Sequence, residues 1–283
     1  MISYRHHIVS LVAVFLALAV GVVLGGGPLT DLGRDDRPAS AATSTSPERP
    51  RGADFGDTFA AASAKRLYAD HLATHQVAVV AMPGADADTA AALVAQVGAA
   101  GGKVSGTYAV RAALTDPGQK SLVDTLGSQL MTQLGDAIDP DAPTYERLGQ
   151  LLGLAVAGTG SDVETVRESL AGAELVGTSK DATTGDVVLV VLGDHTDPAI
   201  LSGVSTGLAT STGVVVVGTT RSGRGSGDLV ALRADPAAKA VGTVDGGETT
   251  LGQVTATLAL IRSLSKPGGA FGASGSAGAV PLT

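Results

Sequence analysis

The sequence predicts an α/β protein, with a single N-terminal transmembrane helix followed by an extracytoplasmic domain whose mostly parallel sheet is built from two βαβ-like units. Three observations predict it. Residues 8–24 (IVSLVAVFLALAVGVVL) carry no charge, several short Val-rich runs further on are bounded by Gly, Pro or Asp, and Ala/Leu-rich segments of helical periodicity separate those runs.

The apolar opening continues to Gly27, before Pro28 interrupts it. A helix rises about 1.5 Å per residue, so about twenty apolar residues cross the roughly 30 Å of a bilayer's hydrocarbon. Residues 8–27 meet that length. The amino terminus and Arg5, with His6 and His7 beside them, precede the run, whereas Asp31, Asp35 and Asp36 offset Arg34 and Arg37 behind it. The positive-inside bias therefore places residues 1–7 in the cytoplasm and the chain beyond residue 28 outside it. The alternative is a cleaved signal peptide, with Ala17-Leu18-Ala19 as the cleavage motif. Because the run stays apolar through Val20, Val22, Val23 and Leu24, an uncleaved anchor is the preferred reading, and either one exports the remainder. Ala13, Ala17, Gly21 and Gly25 recur every fourth residue, a small-residue ridge along which two helices approach closely in lipid. It points to a homo-oligomer or a membrane partner, although a chain this rich in Gly and Ala produces such spacing without pairing.

Residues 28–53 read as a flexible linker, because Pro38, Pro47 and Pro50 among many Ser, Thr and Ala residues bury too little apolar surface to offset ordering entropy. The folded domain is expected over 54–266. Its strands are residues 77–82 (VAVVAM), 103–110, 186–192 (DVVLVVL) and 214–218 (VVVVG), continuous apolar runs of the kind that sheets bury on both faces. Helices are expected where Ala90, Leu93, Val94 and Val97 form one stripe, where Ser161 and Glu164 frame a capping box ahead of Val163, Val166 and Leu170, and where Leu251, Val254, Leu258 and Ile261 align. The chain also resembles itself: VAVVAMPGADADTAAALVAQVGAAGGKV and VVLVVLGDHTDPAILSGVSTGLATSTGVV share the order strand, Asp-bearing turn, helix, strand. Two such units imply right-handed crossovers and a parallel sheet, in one layer or two. Residues 267–283 are Gly/Ser-rich and expected to be disordered.

Composition narrows the function. A net charge of −8 and 3% aromatic residues offer neither the basic patch nor the stacking platform that nucleic-acid binding uses, so no nucleic-acid partner is expected. The absence of cysteine removes thiolate catalysis, iron–sulfur clusters, Cys-based zinc sites and disulfides together. His71 and His75 stand four apart in a predicted helix and could hold copper or zinc, but no third ligand is evident, and Met82 serves equally as core; two solvated histidines are the simpler reading. The RSGRGSG segment at 221–227 follows a strand, where Gly amides with Arg221 and Arg224 could meet an anion. Its glycine spacing is not G-x-G-x-x-G, which favours a flexible exposed loop. Asp194 beside His195 invites a triad, yet no G-x-S-x-G elbow accompanies it, so no catalytic residue is assigned and no enzyme is expected.

The opening SYRHHIVSLVAVFLALAVGVVLGGGPL resembles the N-terminus of the actinobacterial envelope family called mycobacterial copper transport protein B (MctB), also described as SteB. The similarity continues through DTFAAASAKRLYADHL, VVAMPGADADTAAALVAQVGAAGGKVSGTY, GVVVVGTTR and VGTVDGGETTLGQVTATLAL. The resemblance implies copper efflux and homeostasis at the cell envelope, sometimes described as an outer-membrane pore. A second description implies membrane-anchored adaptors that bind a companion membrane protein in cell separation, cell division and peptidoglycan-hydrolase control. Family members carry a heptad-like charged helix after the anchor, where residues 32–53 here are Pro/Ser/Thr-rich. One apolar helix cannot line a channel alone, and the body lacks the serial ten-residue amphipathic strands of an outer-membrane barrel. Soft Cu(I) prefers thiolate and thioether ligands, and the chain has no Cys, 3 Met and 5 His. The resemblance thus favours copper, and the residues favour an adaptor.

Overall fold

A computed structural model describes residues 51–193 and 195–282. The expected anchor at 8–27, with its ridge of Ala13, Ala17, Gly21 and Gly25, lies outside the described residues, as do residues 28–50 of the linker. Among the described residues no helix is long and apolar enough to cross a membrane.

Helix α1 (Arg51–Tyr68) leads to β1 (Gln76–Ala81), α2 (Ala87–Ala99) and β2 (Lys103–Val110). Then come α3 (Lys120–Leu134), α4 (Thr144–Ala157), α5 (Asp162–Gly172), β3 (Val176–Thr178), β4 (Val187–Val191), α6 (Pro198–Leu208) and β5 (Gly213–Val217). The chain closes with α7 (Asp228–Ala234), β6 (Val241–Val244), α8 (Thr250–Ser263) and β7 (Gly269–Phe271). One continuous sheet runs β3-β2-β1-β4-β5-β6-β7. Every neighbouring pair is parallel except β2 with β3 at one edge.

The Val-rich runs form central strands because alternate side chains enter opposite layers. Val188 and Val190 join Ala78 and Val80 beneath α3, α4, α5, α6 and α7. Val187, Leu189 and Val191 join Val77 and Val79 on the other face, against α1, α2 and α8. The two expected βαβ units are β1-α2-β2 and β4-α6-β5, and their Asp-bearing turns are helix caps. Asp86 accepts from the Thr89 N–H at 2.7 Å, and Asp197 accepts from the Ala199 and Ile200 N–H groups at 2.9 and 3.2 Å. From the β1/β4 junction one unit winds outward in each direction, and their helices cover opposite faces. Crossovers of one hand require that placement.

Four expectations need correction. The linker was expected to reach residue 53, but α1 already begins at Arg51; the helix is held by Ala60, Ala64 and Tyr68, which pack into the same core as α8. The segment expected as a disordered tail at 267–283 contains a strand: Gly269, Ala270 and Phe271 pair in parallel with Gly242, Thr243 and Val244. Phe271, at 3% exposure, and Val280 give that otherwise Gly/Ser-rich stretch its apolar hold on the core. The capping box at Ser161 does not form, because Ser161 is itself helical (φ −73°, ψ −22°) and makes no capping bond. Finally, α8 is buried almost all round rather than along one stripe, with Val254 and Leu258 enclosed and Leu251 exposed. Its buried Thr255 and Thr257 hydroxyls donate to the Leu251 and Gln253 carbonyls within the helix, which removes the cost of enclosing them.

A close helix crossing was not foreseen. Gly149 and Gly153 of α4 face α6, whose own Gly203 and Gly207 lie four apart. A Cβ at Gly149 would stand 2.3 Å from the Val204 carbonyl oxygen, and one at Gly207 would stand 2.0 Å from that of Glu146. Only hydrogen fits between these backbones.

Candidate functional site

In open α/β sheets the ligand crevice usually forms past the carboxyl ends of the strands where the strand order reverses, here between β1 and β4. In this chain that point is filled. A Cβ at Gly193, just after β4, would stand 1.8 Å from the Pro83 carbonyl oxygen, because the turn after β1 presses against it. The open space lies one strand further along, beyond β4 and β5. It is a cavity of about 110 Å³ lined by His195, Arg221, Ser222, Arg224, Ser226 and Asp228, among others.

The 221–227 segment, expected as a flexible exposed loop, is exposed at Arg221, Arg224, Gly225 and Ser226 and is folded into successive turns. It turns through Ser222 N–H to Thr219 O, Arg224 N–H to Arg221 O and Gly227 N–H to Arg224 O, at 2.9–3.1 Å. Two of its glycines answer packing: a Cβ at Gly223 would meet Ser274 Oγ at 2.4 Å and Asp245 Cβ at 2.9 Å, and one at Gly227 would meet the Ser222 carbonyl oxygen at 2.3 Å. Gly225 supplies the left-handed turn between them (φ +58°). Beneath the loop, Arg233 Nη2 lies 3.0 Å from Asp245 Oδ1, with the Asp245 side chain fully enclosed and that of Arg233 13% exposed. Arg233 also donates to Thr243 Oγ1, Ser274 Oγ and the Phe271 carbonyl at 2.7–2.9 Å. This pair fastens the loop, β6 and the terminal segment together.

Opposite the loop, His195 adopts a left-handed backbone (φ +57°), an uncommon conformation outside glycine. The next residue's N–H, of Thr196, donates to the buried Asp228 carboxylate at 3.0 Å. Asp194 lies outside the described residues. The triad geometry is not assembled among the described residues: Ser222 Oγ donates to the Thr219 carbonyl at 2.7 Å, and neither it nor Ser226 is hydrogen-bonded to His195.

The histidine pair is separated from this cleft. Because α1 ends at Tyr68, His71 and His75 occupy successive turns before β1 rather than one helical face, with His71 N–H donating to Tyr68 O and His75 N–H to Leu72 O. His75 Nδ1 lies 3.6 Å from Asp186 Oδ2, and Asp186 also accepts from the Gln76 N–H at 2.8 Å. These residues mark the amino-terminal end of β1 and β4, the opposite end of the sheet from the cleft. Met82 is enclosed in the core at 3% exposure. Among the described residues no group of three or more His, Cys, Asp or Glu residues is placed to hold a metal ion.

Sequence reading reached Arg221, Arg224 and His195 separately, and the fold brings them to one cavity. It missed Asp228, Arg233 and Asp245, whose only trace in the sequence is that they flank apolar elements.

The fold and cleft together define a doubly wound α/β protein with a closely packed switch point and a small open cleft beside it. A sequence model of the family described as "Copper transport outer membrane protein, MctB" matches residues 1–282, and the chain belongs to that family. Similar curated relatives are the proteins named "Copper transporter MctB" of Mycobacterium bovis and Mycobacterium tuberculosis, each 35% identical over 179 residues, or 52% of this chain. The chain spans 57% of the length of these relatives.

Proposed function

We propose that this chain serves copper homeostasis at the cell envelope as a membrane-tethered, non-catalytic α/β module, and that the copper path is completed by an assembly rather than by this chain alone. The family match along residues 1–282 and the relatives' name support the copper role. One observation carries the rest: both faces of the sheet are packed under helices, which leaves its strands no lipid-facing side. The charge bias around residues 8–27 supports a cytoplasmic N-terminus with the body outside. Deleting the gene is expected to raise cellular copper and copper sensitivity, and the intact chain is expected to restore both. Unchanged copper content in the deletion strain would remove the copper role.

A second reading, an adaptor for a companion membrane protein in cell separation and peptidoglycan-hydrolase control, has its own support. Phe55 and Phe59 stand one turn apart on α1 with 73% and 62% of their surfaces exposed, while Ala60, Ala64 and Tyr68 of the same helix are buried. Exposed aromatics on a helix otherwise docked to the body are characteristic of contact surfaces. Photocrosslinking from position 59 in the membrane is expected to capture one integral membrane protein, and F55A/F59A to lose it. Absence of any capture would count against the adaptor.

A further inference from the structure

We propose that the cavity beyond β4 and β5 is a binding site for a phosphate-class oxyanion, such as a phosphoryl group on an envelope molecule. The inference stands apart from the copper reading and rests on three observations. First, Arg221 and Arg224 enter one cavity although the chain as a whole carries a net charge of −8, and neither forms an ion pair with any described residue. Second, the loop that carries them is pre-organised: Gly223 is seated against Asp245 and Ser274, and Gly227 against Ser222, so little ordering is required on binding. Third, residues that can donate hydrogen bonds line this open cleft from two sides, Arg221, Arg224 and Ser226 on one loop and His195 on the other, and converging donors suit the several oxygens of a tetrahedral anion.

The adverse feature is Asp228, which also lines the cavity. Its Oδ2 is occupied by the Thr196 N–H, and among the described residues two guanidinium groups outnumber one carboxylate. The sequence-remote His195 is held in the cavity wall by that same bond one residue away, so Asp228 positions the histidine's loop.

The test is calorimetric titration of the full chain in nanodiscs of neutral lipid with inorganic phosphate, then glycerol phosphate, then Cu(II). Phosphate is expected to bind in the millimolar range or tighter and to raise the thermal midpoint. R221A/R224A is expected to weaken it roughly tenfold or more, as loss of two charge-assisted contacts requires. Both arginines are solvent-exposed, so the unliganded thermal midpoint should not change. R221K/R224K should recover part of the affinity, since lysine keeps the charge but not the fork. Nanodiscs containing phosphatidylglycerol separate the sources: if they compete with added phosphate in wild type but not in R221A/R224A, the phosphoryl group belongs to lipid, and if they do not compete, it belongs to a soluble ligand. Absence of phosphate binding, equal affinity in the double alanine variant, or binding of Cu(II) in the cavity in place of phosphate would each overturn the proposal.

Discussion

Asp245 is shut off from solvent, and its charge is tolerated only because Arg233 and the Ser274 N–H meet it at 3.0–3.3 Å. Removing one member of a buried pair strands the other, at a cost of about 3–5 kcal/mol. Asp245→Ala is therefore expected to lower the unfolding free energy read from urea titration by that amount and to make the segment after Lys266 sensitive to protease, because Phe271 and Ser274 are held through Arg233. A variant whose terminal segment stays protected would contradict this. Acid behaviour follows from Asp235, whose carboxyl accepts from the Ser202 hydroxyl and the Ala237 N–H and is held below the usual carboxylate range by both. A depressed folded-state value stabilises above the unfolded-state pKa of about 3.9 and loses that contribution as pH falls through the lower folded value. Ser202→Ala should thus be least stable relative to wild type above pH about 4, with the gap closing in acid; a gap independent of pH in urea titrations would refute it. At this scale the sequence was legible where charge stood out against composition, as at Arg221 and Arg224. It was opaque at Arg233 and Asp245, because a buried ion pair is defined by a partner brought close by the fold and leaves no spacing to read.

Elements were legible where one physical rule acted alone. Residues 187–191 read as a strand because burial on both faces demands an unbroken apolar run, and all five are enclosed. The βαβ order was visible for the same reason, aided by Asp86 and Asp197, whose side chains stop the preceding turn and start the helix. Reading failed where two rules competed. β7 is three residues of a Gly-rich stretch, ordered by tertiary contacts: pairing with β6, the enclosure of Phe271 and the Arg233 bond to its carbonyl. Ser161 and Glu164 have the spacing of a capping box, but Ser161 had joined the helical backbone and could not turn back to its amides. The α4/α6 crossing shows glycine used for proximity rather than for turning. Gly207→Ala would drive a methyl group into the Glu146 carbonyl, and overpacking of this kind costs about 1–3 kcal/mol or more. Thermal unfolding should show that loss, whereas Gly98→Ala, with open space around its Cβ position, should be neutral or slightly stabilising as expected inside α2.

For the molecule as a whole, the strand order joins two halves that wind away from the β1/β4 junction, and closure of that junction by Pro83 against Gly193 moves the open cavity to β4 and β5. Sequence patterning revealed the parallel sheet but not this displacement, which depends on one glycine meeting a turn more than a hundred positions earlier. The same solid packing supports the proposal that the body acts beside a copper path and does not form one. Copper release from proteoliposomes containing the purified full chain as their only protein tests it most directly. Release no faster than from protein-free liposomes is the expected result; a saturable, copper-selective flux through the chain alone would show that the body forms the path itself.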